Sequence, residues 1–160
     1  MKSQTNAQLA EKGRRYLERI SEARQRVDEL TLRIHHHQRL LDQAAESLRF
    51  RMPPNDDPPQ PGIRALLGLI HRLNDELEGY AARVREAEWA IDQLENPMDR
   101  LLLRQHFFCG MNYENLAACH HYSDPRSIRR LISNALSRLR TEGFCGSAEV
   151  PEAKNDAKAI

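Results

Sequence analysis

Apolar residues in the first third of the chain recur in alternating steps of four and three, which is the heptad pattern of a long amphipathic helix. The pattern runs from Leu9 to Leu48 with charged residues between its positions and no proline to break it. It predicts one helix of about 40 residues, hence about 60 Å long. The seam positions are Leu9, Gly13, Tyr16, Ile20, Ala23, Val27, Leu30, Ile34, His37, Leu41, Ala44 and Leu48.

A proline-rich segment, residues 53–62, ends this helix and separates it from a second one. Consecutive prolines exclude the residues before them from a helix, so the segment is predicted to be a stiff, solvated turn. The heptad spacing resumes at Ile63 and continues to Leu94, which predicts a second helix of about 32 residues. Because each helix has an apolar seam that needs a partner, residues 9–95 are predicted to fold as an antiparallel coiled-coil hairpin. Residues 1–8 are predicted to be a disordered N-terminus.

Extra apolar residues lie beside both seams, for example Leu17, Leu40, Leu67 and Leu69. The seam itself is weakened by small or polar residues such as Gly13. The extra stripe indicates that a further helix packs alongside the hairpin. A second copy of the chain is the simplest source of that helix, which predicts a homodimer. Coverage of the stripe by the C-terminal region of the same chain is the alternative.

Three helix start signals follow within 50 residues, a size typical of a helix-turn-helix domain. Each signal is a capping residue, and in two cases a proline stands at the first helical position. The signals are Asn96 with Pro97, Asn112, and Ser123 or Asp124 with Pro125. The last helix is predicted to run from Pro125 to Glu142, with Gly143 as its C-terminal cap. The helix-turn-helix domain therefore spans 96–143, and residues 144–160 are predicted to be a disordered tail.

Charge is concentrated in this last helix. From Pro125 to Arg140 there are five arginines and no acid, whereas the whole chain has a net charge of +1. A helix of this kind is suited to lie against phosphates, while arginine can read guanine and asparagine can read adenine in the major groove. Double-stranded DNA is therefore the predicted partner. The predicted DNA-binding residues are Arg126, Ser127, Arg129, Arg130, Ser133, Asn134 and Ser137.

The stretch from His106 to Arg140 resembles region four of bacterial sigma factors. The shared features are a helix ending in Gly110, a helix with Tyr113 and a Leu-Ala pair, a serine-led turn at Ser123, and an Ala-Leu-x-x-Leu-Arg ending. The whole chain is similar to phage and prophage late-gene regulators of the RinA and ArpU kind, which implies promoter binding. Two departures are a turn one residue longer and His121 where the turn glycine usually stands. No second sigma region is present, so the resemblance does not imply autonomous sigma function.

Chemistry of other kinds has little support in the sequence. His35, His36 and His37 point about 100° apart on a helix and cannot converge on one metal. The spacing of Cys109, Cys119, His120 and His121 matches no zinc module, and no nucleotide loop or catalytic constellation is present, so no enzyme activity, metal or cofactor is predicted. The odd number of cysteines and the lack of a long apolar run predict a cytoplasmic protein without a membrane segment. The resemblance to phage regulators implies that this is the cytoplasm of a bacterial host.

The sequence thus predicts an all-α protein in which a long antiparallel helical hairpin precedes a three-helix, sigma region four-like domain. The predicted function is sequence-specific transcription regulation at phage or prophage promoters. Two other functions stay open. One is a DNA-packaging component resembling a small terminase subunit, and the other is a protein that binds RNA polymerase without reading DNA.

Overall fold

The computed structural model describes residues 4–49 and 61–141, which form helices and their connections and contain no strand. The predicted all-α class is confirmed. A π-helical turn, Arg104–Phe108, continues directly from the third helix. The helices are α1 (Asn6–Arg49), α2 (Pro61–Asp92), α3 (Pro97–Leu103), α4 (Tyr113–Cys119) and α5 (Pro125–Arg138).

Both long helices begin slightly earlier than predicted. The amide of Thr5 donates to Oε1 of Gln8 at 3.0 Å, and the amide of Gln8 donates to the hydroxyl of Thr5 at 3.4 Å. Because of this reciprocal capping, α1 begins at Asn6 rather than near Leu9. The second helix begins at Pro61, inside the segment predicted to be a turn, because proline is well suited to a first helical position. Residues 53–60 of that predicted turn and the predicted tail 144–160 lie outside the described residues.

The first two helices pack against each other as an antiparallel hairpin. Leu30 and Ile34 of α1 share one apolar cluster with Ile70 and Leu73 of α2. Nearer the start of α1, Arg24 forms an ion pair of 3.6 Å with a glutamate late in α2. The end of the hairpin where α1 begins and α2 finishes is called the base below, and the opposite end is called the distal end.

The three short helices share their core with the base of the hairpin. Fully buried residues of α3, α4 and α5 lie in the same cluster as residues of α1 and α2. Tyr16 of α1 packs against this cluster, and burial of its ring raises the pKa of its hydroxyl above the ordinary value, with Glu86 adding to the effect. The buried members are Ala10, Leu17, Ile20, Ala87, Ala90, Ile91, Leu94, Leu102, Leu103, Phe107, Leu116, Ala117, Ile128, Ile132, Ala135, Leu136 and Leu139.

A close crossing of α1 and α5 holds this shared core together. A Cβ atom added at Gly13 would lie 2.8 Å from the backbone carbonyl oxygen of Leu136, a distance that would force the two helices apart. The absence of a side chain at Gly13 therefore allows α1 and α5 to approach closely. The sequence had indicated only that Gly13 weakens the hairpin seam. Leu17, which the sequence placed in the extra stripe, is fully buried in the shared core. At the base, the C-terminal helices of the same chain thus cover the stripe.

The distal end is packed far less completely. Its apolar cluster has only four buried members among the described residues. Leu40 and Leu67 of the predicted extra stripe are 40% and 46% exposed, and Leu32 is 72% exposed. Apolar surface is therefore left uncovered along this half of the hairpin.

Ion pairs join the short helices to the hairpin. Arg104, in the π-helical turn, bonds to Glu88 at 3.0 Å and to Asp92 at 2.5 Å, both on α2. The hydrogen bond to Asp92 is the main cause that raises the pKa of this arginine above its ordinary value. None of the helices in the described ranges is both long and apolar enough to cross a membrane.

Candidate nucleic-acid interface

Capping residues fix where each short helix begins, as the sequence predicted. The Asn96 side chain accepts a hydrogen bond from the amide of Met98 at 2.9 Å. Asn112 caps α4 in the same way, at 2.8 Å from the amide of Asn115. Of the two candidates before Pro125, Asp124 is the residue that caps α5. These local bonds satisfy amides that would otherwise lack a partner at the start of each helix.

The turn between α4 and α5 requires an unusual backbone conformation at His121. This residue has a φ of 59°, in the left-handed region that favours glycine. His121 stands where sigma region four usually has a glycine, and it adopts the left-handed conformation that glycine favours. Its neighbour His120 bonds through Nε2 to Oε1 of Gln105 at 2.7 Å, which ties the turn to the π-helical segment.

A second connection, between the π-helical segment and α4, sets the position of Tyr113. Gly110, two residues after the segment, has a φ of 70°. His106 bonds through Nδ1 to the carbonyl oxygen of Met111 at 2.8 Å and stacks on the Tyr113 ring with 4.7 Å between centroids. The tyrosine is thereby held at the first position of α4, beside α5.

The predicted DNA-binding residues share one face of α5, opposite its buried side. Most of them are exposed, while Ser133 and Ser137 are partly exposed. The Ser137 hydroxyl donates to the carbonyl oxygen of Asn134 at 2.7 Å, so its donor is already used within the helix. The exposed members of the set are Arg126, Ser127, Arg129, Arg130 and Asn134.

The end of α5 differs from the prediction. The helix finishes at Arg138, because Leu139 adopts an extended conformation and buries its side chain in the shared core. The predicted cap Gly143 lies outside the described residues. Arg138 bonds to the buried carboxylate of Asp99 at 2.8 Å. One of the five arginines between Pro125 and Arg140 is therefore neutralised by a buried aspartate of α3.

Residues of α1 form the other wall of an open groove beside this face. Glu11 and Arg14 of α1 line the groove together with residues of α5. Sequence reasoning missed both, because they lie in the hairpin more than 100 positions away along the chain. The α5 residues that line the groove are Arg126, Arg129, Arg130, Ser133 and Asn134.

The four arginines that line this groove have no acidic partner among the described residues. Among residues 4–49 and 61–141, no carboxylate lies within ion-pair distance of the four groove arginines. Six arginines elsewhere do have such a partner, and Glu11 at the rim is itself paired with Arg15 at 2.9 Å. The unpaired set is Arg14, Arg126, Arg129 and Arg130. The groove therefore carries uncompensated positive charge.

Possible metal ligands are not brought together in the part of the chain that is described. No group of three or more His, Cys, Asp or Glu residues there could hold a metal ion. Cys109 and Cys119 are both exposed thiols. His37 is half-buried at the hairpin seam, and its Nδ1 has no hydrogen-bond partner within the described ranges.

Comparisons with known proteins add no relative to these observations. Neither a scan against protein-family models nor searches of curated proteins and of solved structures found a match to this chain.

Proposed function

We propose that this protein is a sequence-specific DNA-binding regulator of transcription that uses the exposed face of α5 as its recognition surface. The observation that supports this most directly is the set of four arginines without carboxylate partners around one open groove. Uncompensated arginines on one surface attract the phosphates of DNA and release condensed counterions when they bind.

The other residues of the face suit base recognition. Arg126 and Arg130 lie in the first turns of α5, the part of a recognition helix that reaches base edges. A guanidinium can bond to guanine with two parallel hydrogen bonds, and the amide of Asn134 can do the same with adenine. An α-helix with these side chains fits the width of the major groove.

Action at phage or prophage promoters is the biological setting that the sequence supports. The resemblance of His106–Arg140 to sigma region four favours promoter DNA, in the cytoplasm of a bacterial host. RNA polymerase is a further candidate partner, since the resemblance is to a polymerase subunit.

The distal end of the hairpin is proposed to mediate homodimerisation. Leu40 and Leu67 are substantially exposed there, on helices that bury little apolar surface against each other. Burial of such surface against a second copy would contribute about 25 cal/mol per Å². Two copies would place two α5 helices on one DNA molecule, as dimeric helix-turn-helix proteins do.

Selection of bound fragments from the source genome, followed by footprinting, tests the proposed function. The full chain is expected to protect a site next to a promoter, while a variant with both Arg126→Ala and Arg130→Ala is expected to lose the site. Protection of a packaging site would favour the terminase-like alternative. Binding to RNA polymerase without any protected site would favour the protein that does not read DNA.

A further inference from the structure

We propose that the groove between α1 and α5 holds a backbone phosphate of double-stranded DNA, bound by Arg14, Arg129 and the hydroxyl of Tyr113. This inference rests on the proposed function and extends the interface from the helix-turn-helix onto the hairpin. It assigns a binding role to a residue of α1, which lies outside the region that resembles sigma factors.

Arg14 is the first observation behind this inference. The residue is half-buried, and its Nη1 donates a hydrogen bond of 3.1 Å to the hydroxyl of Tyr113. No carboxylate within the described ranges lies at ion-pair distance from it, and Glu11, which lines the same groove, is paired with Arg15 instead. A partly buried guanidinium loses hydration without gaining a counter-ion, which is unfavourable unless an anion binds. Arg14 therefore has the environment of an anion-binding residue rather than of a structural ion pair.

Tyr113 supplies a neutral donor at the same place. Its oxygen accepts the hydrogen bond from Arg14, so its own O–H remains available to donate. Arg129 of α5 lies over the ring, with Cζ 6.0 Å from the centroid. Two guanidinium groups thus line the groove, and the phenol lies next to both of them. This combination of donors matches the oxygen atoms of a phosphate group.

The shape and position of the groove favour a phosphate of the DNA backbone over a small free anion. The groove is open to solvent and continuous with the α5 face, because Arg126 and Arg130 line it too. With Arg126 and Arg130 at base edges, the adjacent wall formed by α1 is the part of the chain that we expect to meet the flanking backbone. Phosphate contacts of this kind fix the register of a protein on DNA without reading sequence.

Salt dependence of DNA binding by the full chain tests the assignment. The measurement is the affinity for one unrelated 30-base-pair duplex between about 50 and 200 mM salt. For Arg14→Ala, the slope of log K against log salt is expected to fall in magnitude by about 0.9, the value for one lost phosphate contact. The same rise in salt should then cost the variant about threefold less affinity than it costs the wild type. Arg14→Lys should keep the wild-type slope, because it keeps the charge.

Arg39→Ala is the matched control, since Arg39 is an exposed arginine of the same helix in its distal half. It should leave the slope unchanged. Equal slopes for wild type and Arg14→Ala would overturn the inference while the proposed function stands. Equal decreases for Arg14→Ala and Arg39→Ala would also overturn it, because only long-range charge would then be at work. Failure of the wild type to bind any duplex would overturn both proposals.

Tyr113→Phe provides a second test that does not depend on the folding of the Arg14 variant. The substitution keeps the ring that stacks on His106 and removes only the hydroxyl. Binding is expected to weaken about three- to tenfold on specific and unrelated duplexes alike, with an unchanged salt slope, because no charge is lost. Wild-type affinity in this variant would exclude the phenol from the site.

Discussion

The base and the distal end of the hairpin are built from the same heptad pattern, yet they are packed very differently. At the base, five helices contribute to one core, and α1 crosses α5 closely enough to require glycine. At the distal end, two helices share a small cluster and leave leucines exposed. A heptad pattern therefore specifies the helices, while the packing partners that bury its apolar face are determined by the rest of the chain.

This difference also separates the two proposed roles. DNA binding is assigned to the base, where the recognition face is held by a buried core and by ion pairs such as Arg138 with Asp99. Self-association is assigned to the distal end, where apolar surface is uncovered. The two roles should respond to different substitutions.

A charge placed in each of the two cores should give the largest effects. Leu17 and Leu30 are both fully buried, Leu17 at the base and Leu30 in the distal cluster. Leu17→Asp is expected to abolish cooperative folding and DNA binding, because it places a charge in the core shared by all the helices. Leu30→Asp should lower helicity while the base stays folded and binds DNA. Circular dichroism with thermal melting and a duplex-binding assay would measure this, and equal loss in both variants would contradict the distinction.

Gly13→Ala is expected to lower the free energy of unfolding by about 1–2 kcal/mol, because the new Cβ would clash with the backbone of Leu136. The higher helix propensity of alanine offsets only part of this strain. DNA affinity should fall as α5 shifts. Gly68→Ala in α2 is the matched control, because its Cβ would meet nothing within 4 Å. That control should gain up to about 1 kcal/mol. Denaturant unfolding measures both variants, and stabilisation by Gly13→Ala would refute the close crossing.

Substitution of the exposed distal leucines should alter the oligomeric state. Leu40→Glu combined with Leu67→Glu is expected to convert a dimer to a monomer at micromolar concentration, with little change in helicity. Light scattering gives the mass. A monomeric wild type, or a variant that remains dimeric, would show that the distal end is not the dimer interface.

The smallest expected effect is a change in stability at the turn between α4 and α5. His121→Gly should stabilise the fold by about 0.5–1 kcal/mol, because His121 adopts a φ of 59° that costs an L-residue free energy. His121→Ala keeps the strained conformation and should not stabilise. Thermal melting of the two variants side by side measures the difference, and equal midpoints would indicate that the backbone there is not strained.

Sequence reasoning succeeded where the signals are local. The hairpin periodicity and the caps at Asn96, Asn112 and Asp124 depend on residues within a few positions of each other, and the structure confirms them. The pairing of Arg138 with Asp99 was missed, because it joins positions 39 residues apart.

The role of Arg14 was missed for the same reason. Its contact with Tyr113 spans 99 positions, so no local pattern could reveal it. Periodicity could not show that Leu17 is buried in the shared core of its own chain rather than against a second copy, because both arrangements need the same apolar stripe. The face of α5 was predictable from its helical wheel, while the wall that α1 adds to it was not.

Sequence preference in Arg126→Ala, Arg130→Ala and Arg138→Ala tests the central claim most directly. Each variant is titrated with a duplex selected from the source genome and with its scrambled version. Arg126→Ala and Arg130→Ala are expected to lose about 1–3 kcal/mol on the selected duplex and little on the scrambled one. Arg138→Ala should keep its preference but lose folding stability, because Asp99 is left buried without its partner. Equal losses on both duplexes for Arg126→Ala and Arg138→Ala would contradict base recognition by α5.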